Sequence, residues 1–255
     1  VKTPPLGKAA DRVEAADKLT GRAKYAAEFT APNMAHAVVV TSGIAAGRDG
    51  LQYKRGDAAA ALKVAAFSVE VTYSTPVQHH HPLEPCAALT EWSGEALTLH
   101  VSSRNVNGVK AVAAGVFGLP PDKVCVVCPV VGGAFGSKGF TWQHDLLAAA
   151  AKAVGRPVRL VLTRRQMAVL AGHRPETRQT VGVAADQGGK LVALRHAATS
   201  TTSPVAEFAE ACGEMTKRLY SCGNVDVSHT LLTVNRSSPV FMRAPGETPG
   251  LFAFE

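Results

Sequence analysis

Apolar and polar residues alternate along FSVEVTYSTPV (67–77) as a half-buried strand requires. AALTEW (87–92) and ALTLHVSS (96–103) read as two further strands, and Ser93, Gly94 and Glu95 between them are hairpin chemistry. The period then changes. VNGVKAVAAGVF (106–117) carries apolar residues at helical spacing; Gly118 can end that helix, and the prolines of GLPPDK stop it by removing backbone donors. A strand is predicted over 124–131, then a helix over TWQHDLLAAAAKAVG (141–155), with Thr141 as its cap and Gly155 as its terminator, then a strand over VRLVLT (158–163). Strand, helix, strand is an α/β unit. TVGVAADQGGKLVALRHAATST (180–201) reads as a hairpin that turns at DQGGK, and VSHTLLTVN (227–235) as another strand. Nearer the N-terminus, residues 18–42 end in a β-branched run that reads as a strand, 43–57 are polar and glycine-rich without a period, and DAAAALKVAA (57–66) is a short helix of strong helix formers. The tail from Pro239 reads as a structureless loop. There is no internal repeat and no low-complexity tail. The fold class expected is α+β, a mixed α/β arrangement.

Composition narrows this picture. With 255 residues, 46% of them hydrophobic, the chain can bury a sizeable core as one large domain or two small ones. No apolar run is long enough to span a membrane, and the start lacks the apolar stretch of a secretory signal, so a soluble, cytoplasmic chain is expected, reaching a periplasm only by export with a partner. Val1 in place of Met suggests that this is not the translational start, and processing or trimming would explain it equally. The net charge of +7 is spread along the chain, TRRQ at 163–166 being the densest cluster, which describes a solvated surface rather than a nucleic-acid groove. Five cysteines without a signal point to a reducing compartment. Cys125 and Cys128 form a CxxC pair, but the strand pattern of KVCVVCPVV sends them to opposite faces and no second pair sits at zinc spacing, so buried structural thiols are expected.

Candidate chemistry gathers in VVGGAFGSKGFTWQHD (130–145). A helix that begins after a glycine-rich turn offers unpaired N–H groups and the positive end of its dipole to an anion. Gly132, Gly133 and Gly136 let a ligand approach the backbone, and Lys138 could add charge. The order of residues fits neither a Walker loop nor a GxGxxG fingerprint. A tight strand-to-helix turn with Phe135 packed in the core explains the same residues. QHHHP (78–82) places three histidines in an extended chain where they alternate faces and do not converge on a metal; Glu84 in EPCAA lacks a second carboxylate for acid/base chemistry. Arg243, among prolines and apolar residues, could clamp a phosphate or carboxylate, or pair with Glu247.

Several separated pieces share one family's order. TPVQHHHPLEP, VSSRNVNGVKAVAAGVFGLPPDKVCVVCPVVGGAFGSKG, GRPVRLVLTRRQ, HRPETRQTVGVAADQGGKLVAL and FMRAPGETPGLFAFE resemble the large subunit of the xanthine dehydrogenase and aldehyde oxidase family of molybdenum hydroxylases, bacterial aldehyde oxidoreductases above all. KLTGRAKYAAEF with MAHAVVVTSGIAAGR resembles the opening of that family's hammerhead domain. The resemblance implies a partial hammerhead-like segment at 1–50 and the N-terminal part of a molybdopterin-binding domain at 51–255. It implies molybdopterin cytosine dinucleotide with molybdenum as cofactor, and Arg104, Gly133, Ala134, Phe135, Gly136, Arg243 and Ala244 as the residues that contact it. The implied reaction is hydroxylation of an aldehyde or N-heterocycle with oxygen from water, electrons leaving through iron-sulfur and flavin subunits. No nucleic acid or membrane partner is implied, and no residue here is expected to ligate metal directly.

The sequence departs from that family in three places. Arg104 stands where the family usually has glutamine, exchanging a neutral amide for a cation. The hammerhead likeness breaks off near Arg48, and the chain stops at Glu255, before the family's catalytic glutamate. Two other readings therefore remain: an inactive truncated remnant, or a phosphate- or nucleotide-binding module without redox chemistry.

Overall fold

The computed structural model describes residues 15–36, 46–139 and 143–255. In chain order its elements are α1 (Ala15–Leu19), β1 (Ala35–His36), β2 (Ala46–Arg55), α2 (Ala58–Val64), β3 (Phe67–Thr75), β4 (Ala87–Ser93), β5 (Ala96–Val101), α3 (Val106–Phe117), β6 (Val124–Val127), α4 (Gln143–Val154), β7 (Val158–Val161), α5 (Arg164–Leu170), β8 (Thr177–Ala185), β9 (Leu191–Thr202), β10 (Asn224–Thr233) and α6 (Glu247–Phe254). They fall into two compact units, the first made of Val1–Val38, Leu83–Gly133 and Lys138–Leu162, the second of Val39–Pro82, Ala134–Ser137 and Thr163–Glu255. The mixed helix and strand content is the α+β class expected.

The first unit is built on a mixed sheet of order β1-β7-β4-β5-β6. The β4–β5 hairpin turns at Gly94, whose φ of 59° is left-handed as a two-residue hairpin turn demands. On β5 the alternation is strict: Leu97, Leu99 and Val101 are buried, and the residues between them are partly exposed. α4 lies against β4 and sends Leu147 inward, while Trp92 donates its indole N–H to Ala148 O at 2.9 Å. α3 begins at Asn105, whose side chain accepts the Gly108 N–H, and ends at Gly118 with φ 62°. Because Leu99 is fully buried, Leu99→Ala leaves a cavity, and denaturant unfolding should show a loss of about 3 kcal/mol. A loss below about 1 kcal/mol would mean that β5 is not central to this core.

The second unit carries a sheet of order β2-β10-β9-β8-β3, in which only β9 and β10 run parallel. α2 covers one side with Ala58, Ala61 and Leu62 against Ala184 and Ala193, and Asp57 caps it by accepting the Ala60 N–H. Another cluster joins Leu194, Cys222, Val225 and Val227 to Phe254 of α6. The DQGGK turn forms as expected, with Asp186 accepting from Gly188 and Lys190 and with Gly189 at φ 81°.

Several sequence expectations need correction. Residues 46–55, read as patternless, are the edge strand β2, paired antiparallel to β10, with Tyr53 packed against the cluster of Leu194, Val225 and Val227. β3 is not half-buried: Phe67, Val69 and Val71 on one face and Ser68 and Glu70 on the other are all exposed. The predicted strand at 124–131 stops at Val127. TRRQ is a helix start, where Thr163 and Gln166 make a reciprocal capping box. The tail is not structureless, since α6 occupies it. Cys125 is exposed rather than buried, and the half-buried Cys128 thiol donates to Ser103 O. Thr141 and the β-branched run beyond His36 lie outside the described residues.

Candidate functional site

In the first unit, the glycine loop is anchored by a buried ion pair. Glu84 accepts the Gly132 N–H at 2.8 Å, the Ala26 N–H at 3.3 Å and the Lys138 ammonium at 2.6 Å. Gly132 must be glycine here, because a Cβ would stand 2.4 Å from the Glu84 Cβ. Lys138 is 1% exposed and sits at φ 60°. Its carbonyl accepts from Ser103 Oγ and from the Arg104 N–H, which ties the end of the loop to the chain leaving β5. Two expectations fall with this geometry. Lys138 is committed to Glu84 and does not lend charge to an external anion, and Glu84 is a structural partner rather than a lone carboxylate. Arg104 is exposed and passes over Gly139, where a Cβ would meet its Nε at 3.1 Å.

In the second unit, Ala134, Phe135 and Gly136 meet the segment that carries Arg243. Phe135 O accepts the Arg243 N–H at 2.8 Å, and a Cβ on Gly136 would lie 1.9 Å from Phe241 O, so that no other residue fits. Gly136 has φ 121° and Phe135 φ 55°, a left-handed conformation that a bulky residue adopts only under constraint. Ser137 turns back, giving both its N–H and its hydroxyl to Ala134 O. Phe135 is 49% exposed, which overturns the reading that packs it into a core. The amides of Ala134, Phe135 and Ala244 have no acceptor among the described residues. The Arg243 guanidinium is exposed and has no hydrogen-bond or ion-pair partner among the described residues, Glu247 included. Ala244 shares the left-handed region at φ 54°.

Behind this segment lies a second buried charge pair. Arg174 Nη2 donates to the carbonyls of Met242, Arg243 and Ala244, Nη1 donates to Gln78 Oε1, and Nε faces Glu210 at 3.4 Å. Glu210 Oε1 also accepts the Gly246 N–H at 2.6 Å. Burial pushes the Glu210 carboxyl above its ordinary value, against the pull of the Gly246 N–H and of Arg174.

Open amides beside a free guanidinium suit an anionic group of some size. Residues 39–255 match the family model for the molybdopterin cofactor-binding domain. The chain belongs to that family. Aldehyde oxidoreductase molybdenum-binding subunit PaoC of Escherichia coli (strain K12) is 37% identical over 201 residues, which are 78% of this chain and 27% of that protein. Indole-3-acetaldehyde oxidase of Zea mays is 29% identical over 211 residues, 80% of this chain and 15% of that protein. Among solved structures, aldehyde oxidoreductase from Desulfovibrio gigas superposes with a TM-score of 0.69 at 26% identity, over 80% of this chain and 23% of that one. Quinoline 2-oxidoreductase from Pseudomonas putida 86 reaches a TM-score of 0.74 at 24% identity over 82% of this chain and 28% of that one, a likeness that bears on the fold alone. This chain thus spans about a quarter of the length of PaoC. The xanthine dehydrogenase and aldehyde oxidase kinship expected from the sequence is borne out.

Within the molybdopterin cofactor-binding domain, reading the sequence missed Arg174 and Glu210. The signal available was an arginine following the apolar run MAVLAGH, a poor place for an unpaired charge. The histidine run behaves differently from a regular strand. His81 has φ 41°, the His79 ring lies 5.8 Å from that of His81 and 5.9 Å from that of His173, and His80 donates from Nε2 to Phe241 O. No group of three or more His, Cys, Asp or Glu side chains is arranged to hold a metal ion among the described residues. No helix among the described residues is long and apolar enough to cross a membrane.

Proposed function

We propose that this chain contributes the glycine loop and the arginine segment of a molybdopterin cytosine dinucleotide site in a molybdenum hydroxylase. Support comes above all from one arrangement in the second unit: the Phe135 O to Arg243 N–H bond joins two partly exposed segments whose Ala134, Phe135 and Ala244 amides and Arg243 guanidinium have no partner among the described residues. Such donors fit a phosphate-bearing pterin cofactor, and Gly136 lets the two backbones approach closely. Ala134, Phe135, Gly136, Arg243 and Ala244 would hold the group from the second unit, and Arg104 and Gly133 belong to the same assignment. Arg104 would offer a fixed cation where a glutamine offers a neutral amide.

When bound, the group would supply the redox chemistry that places water-derived oxygen on an aldehyde or N-heterocycle and passes electrons to iron-sulfur and flavin partner subunits. The protein's own part is narrower. Backbone N–H groups and Arg243 would fix the cofactor's anionic face, and the Phe135 ring, half exposed at the loop's tip, would exclude water beside it. No residue of this chain is assigned to proton abstraction. The extent 51–255 is proposed as the N-terminal part of the cofactor domain, with 1–50 hammerhead-like, in a cytoplasmic assembly.

The test is the content of the purified protein. Expressed together with cofactor biosynthesis and the partner subunits, it should contain molybdenum and release a cytidine nucleotide on denaturation. Metal at background would remove the reading, and a pterin without the nucleotide would remove the dinucleotide form.

A further inference from the structure

The carbonyls of Met242, Arg243 and Ala244 converge on Arg174 Nη2 at 3.0, 2.5 and 3.2 Å. In a trans peptide the C=O and the following N–H point in opposite directions, and no peptide among the described residues is cis. Aiming three consecutive carbonyls at one buried guanidinium therefore turns the next N–H groups away from it. The Arg243 N–H, so turned, meets Phe135 O at 2.8 Å. The Ala244 N–H has no acceptor among the described residues. Pro245, third in line, has no N–H to satisfy.

The neighbouring residues hold the same segment at both ends. Val240 N–H donates to His173 O, Phe241 O accepts from His80, and Gly246 N–H donates to Glu210, which faces Arg174 Nε. Arg174 is 3% exposed and Glu210 1%, so the pair is shielded from solvent. A lysine could not replace this fork: one ammonium with three donors cannot serve Gln78, Glu210 and three carbonyls together.

We propose that Arg174, anchored by Glu210, is the positioning residue of this site: it sets the direction in which the Met242–Ala244 peptides and the Arg243 side chain are presented to an anionic ligand. What is presented rests on the cofactor reading above; the strut itself does not. Arg174 touches neither cofactor nor substrate in this scheme and acts through the backbone of its neighbours.

Hydrogen exchange read by mass spectrometry on the 255-residue chain tests it, comparing the wild type with Arg174→Lys, with Glu210→Gln, and with Leu231→Ala as a control that weakens the buried core of β10. In Arg174→Lys, exchange over 240–246 should rise at least about tenfold while β8 and β9 keep their protection. Glu210→Gln, which keeps the guanidinium, should give the same local pattern more weakly and decides the matter if Arg174→Lys does not fold. Inorganic pyrophosphate should slow exchange at 243–244 in the wild type and in Leu231→Ala, and should do so at least about tenfold less effectively in Arg174→Lys. Exchange over 240–246 that stays at the wild-type rate, or rises only in step with the control, overturns the strut. Local opening in Arg174→Lys with no pyrophosphate effect on the wild type upholds the strut and overturns the anionic-ligand reading instead.

Discussion

Lys138→Met is expected to destabilise the chain by about 3–5 kcal/mol, because it strands a buried carboxylate. Glu84 is held at 6% side-chain exposure with Lys138 at 0%, and the ammonium is one of three donors that satisfy it. Removing the cation leaves the Gly132 and Ala26 N–H groups as its remaining stabilisation. The double variant Lys138→Met with Glu84→Gln should recover more than half of the loss, since the amide oxygen still accepts one backbone N–H and no charge is left behind. Urea midpoints of the wild type, the single variant and the double variant measure this directly. A single variant as stable as the wild type would mean that Glu84 and Lys138 do not form the anchor described. The consequence for the site is local: without the pair, the Lys138 end of the loop loses its side-chain tether to Glu84, while Gly132 keeps its backbone bonds to that residue.

Acid should weaken the fold well above the ordinary carboxylate range. Burial pulls His144, His173 and His196 down to about 4 from the usual 6.5. These rings are neutral in the folded chain at pH 5, while in the unfolded chain they are charged. The unfolded state therefore binds more protons between pH 6.5 and about 4, and stability falls as pH drops through that window. Each ring accounts for at most about 3 kcal/mol, with no further loss from it below about pH 4. For His196, burial is joined by the nearby His229, and its two hydrogen bonds fix the tautomer: Nδ1 meets Thr216 Oγ1 at 2.7 Å and Nε2 meets Gln179 Oε1 at 2.9 Å. Gln179 Oε1 can only accept, so Nε2 carries the proton and Nδ1 is the position that acid must fill. Glu210 and Asp145 work the other way: burial raises both, so each favours the fold at low pH and loses that contribution as pH rises through its folded value. Burial lowers His79, His80 and His229 as well, so six rings stand against two carboxyls and the net trend is destabilising. Urea midpoints at pH 7.5 and 5.0 should differ clearly, and by less in His196→Gln. Equal midpoints at the two pH values would contradict the burial of these rings.

The sequence made the strong periods legible and hid the features that depend on distant partners. β4, β5 and the β8–β9 hairpin were readable because alternation and turn chemistry are local, as in the Asp186 to Gly189 turn. β2 was not, because its place is set by backbone pairing to β10, which leaves no period in the residues themselves. α5 left a readable trace, since Thr163 and Gln166 stand at capping-box spacing, but the adjacent arginines drew attention to charge instead. At the site, Phe135, Gly136 and Arg243 were singled out by glycine spacing and by an arginine in an apolar tail, and the fold brings those three together. Their supports were invisible: Glu84 and Lys138 are 54 positions apart, and nothing at the sequence level links Arg174 to Glu210 or to the carbonyls near Arg243. Buried charge pairs are set by three-dimensional proximity, and one sequence does not encode it in any short pattern.

The most direct measurement is a crystal structure of the assembled, cofactor-loaded protein. Phosphate or pterin oxygens within hydrogen-bond distance of the Ala134, Phe135 or Ala244 N–H groups, or of the Arg243 guanidinium, are the expected result. A cofactor seated elsewhere, with those amides and Arg243 turned toward protein acceptors or bulk water, would contradict the assignment.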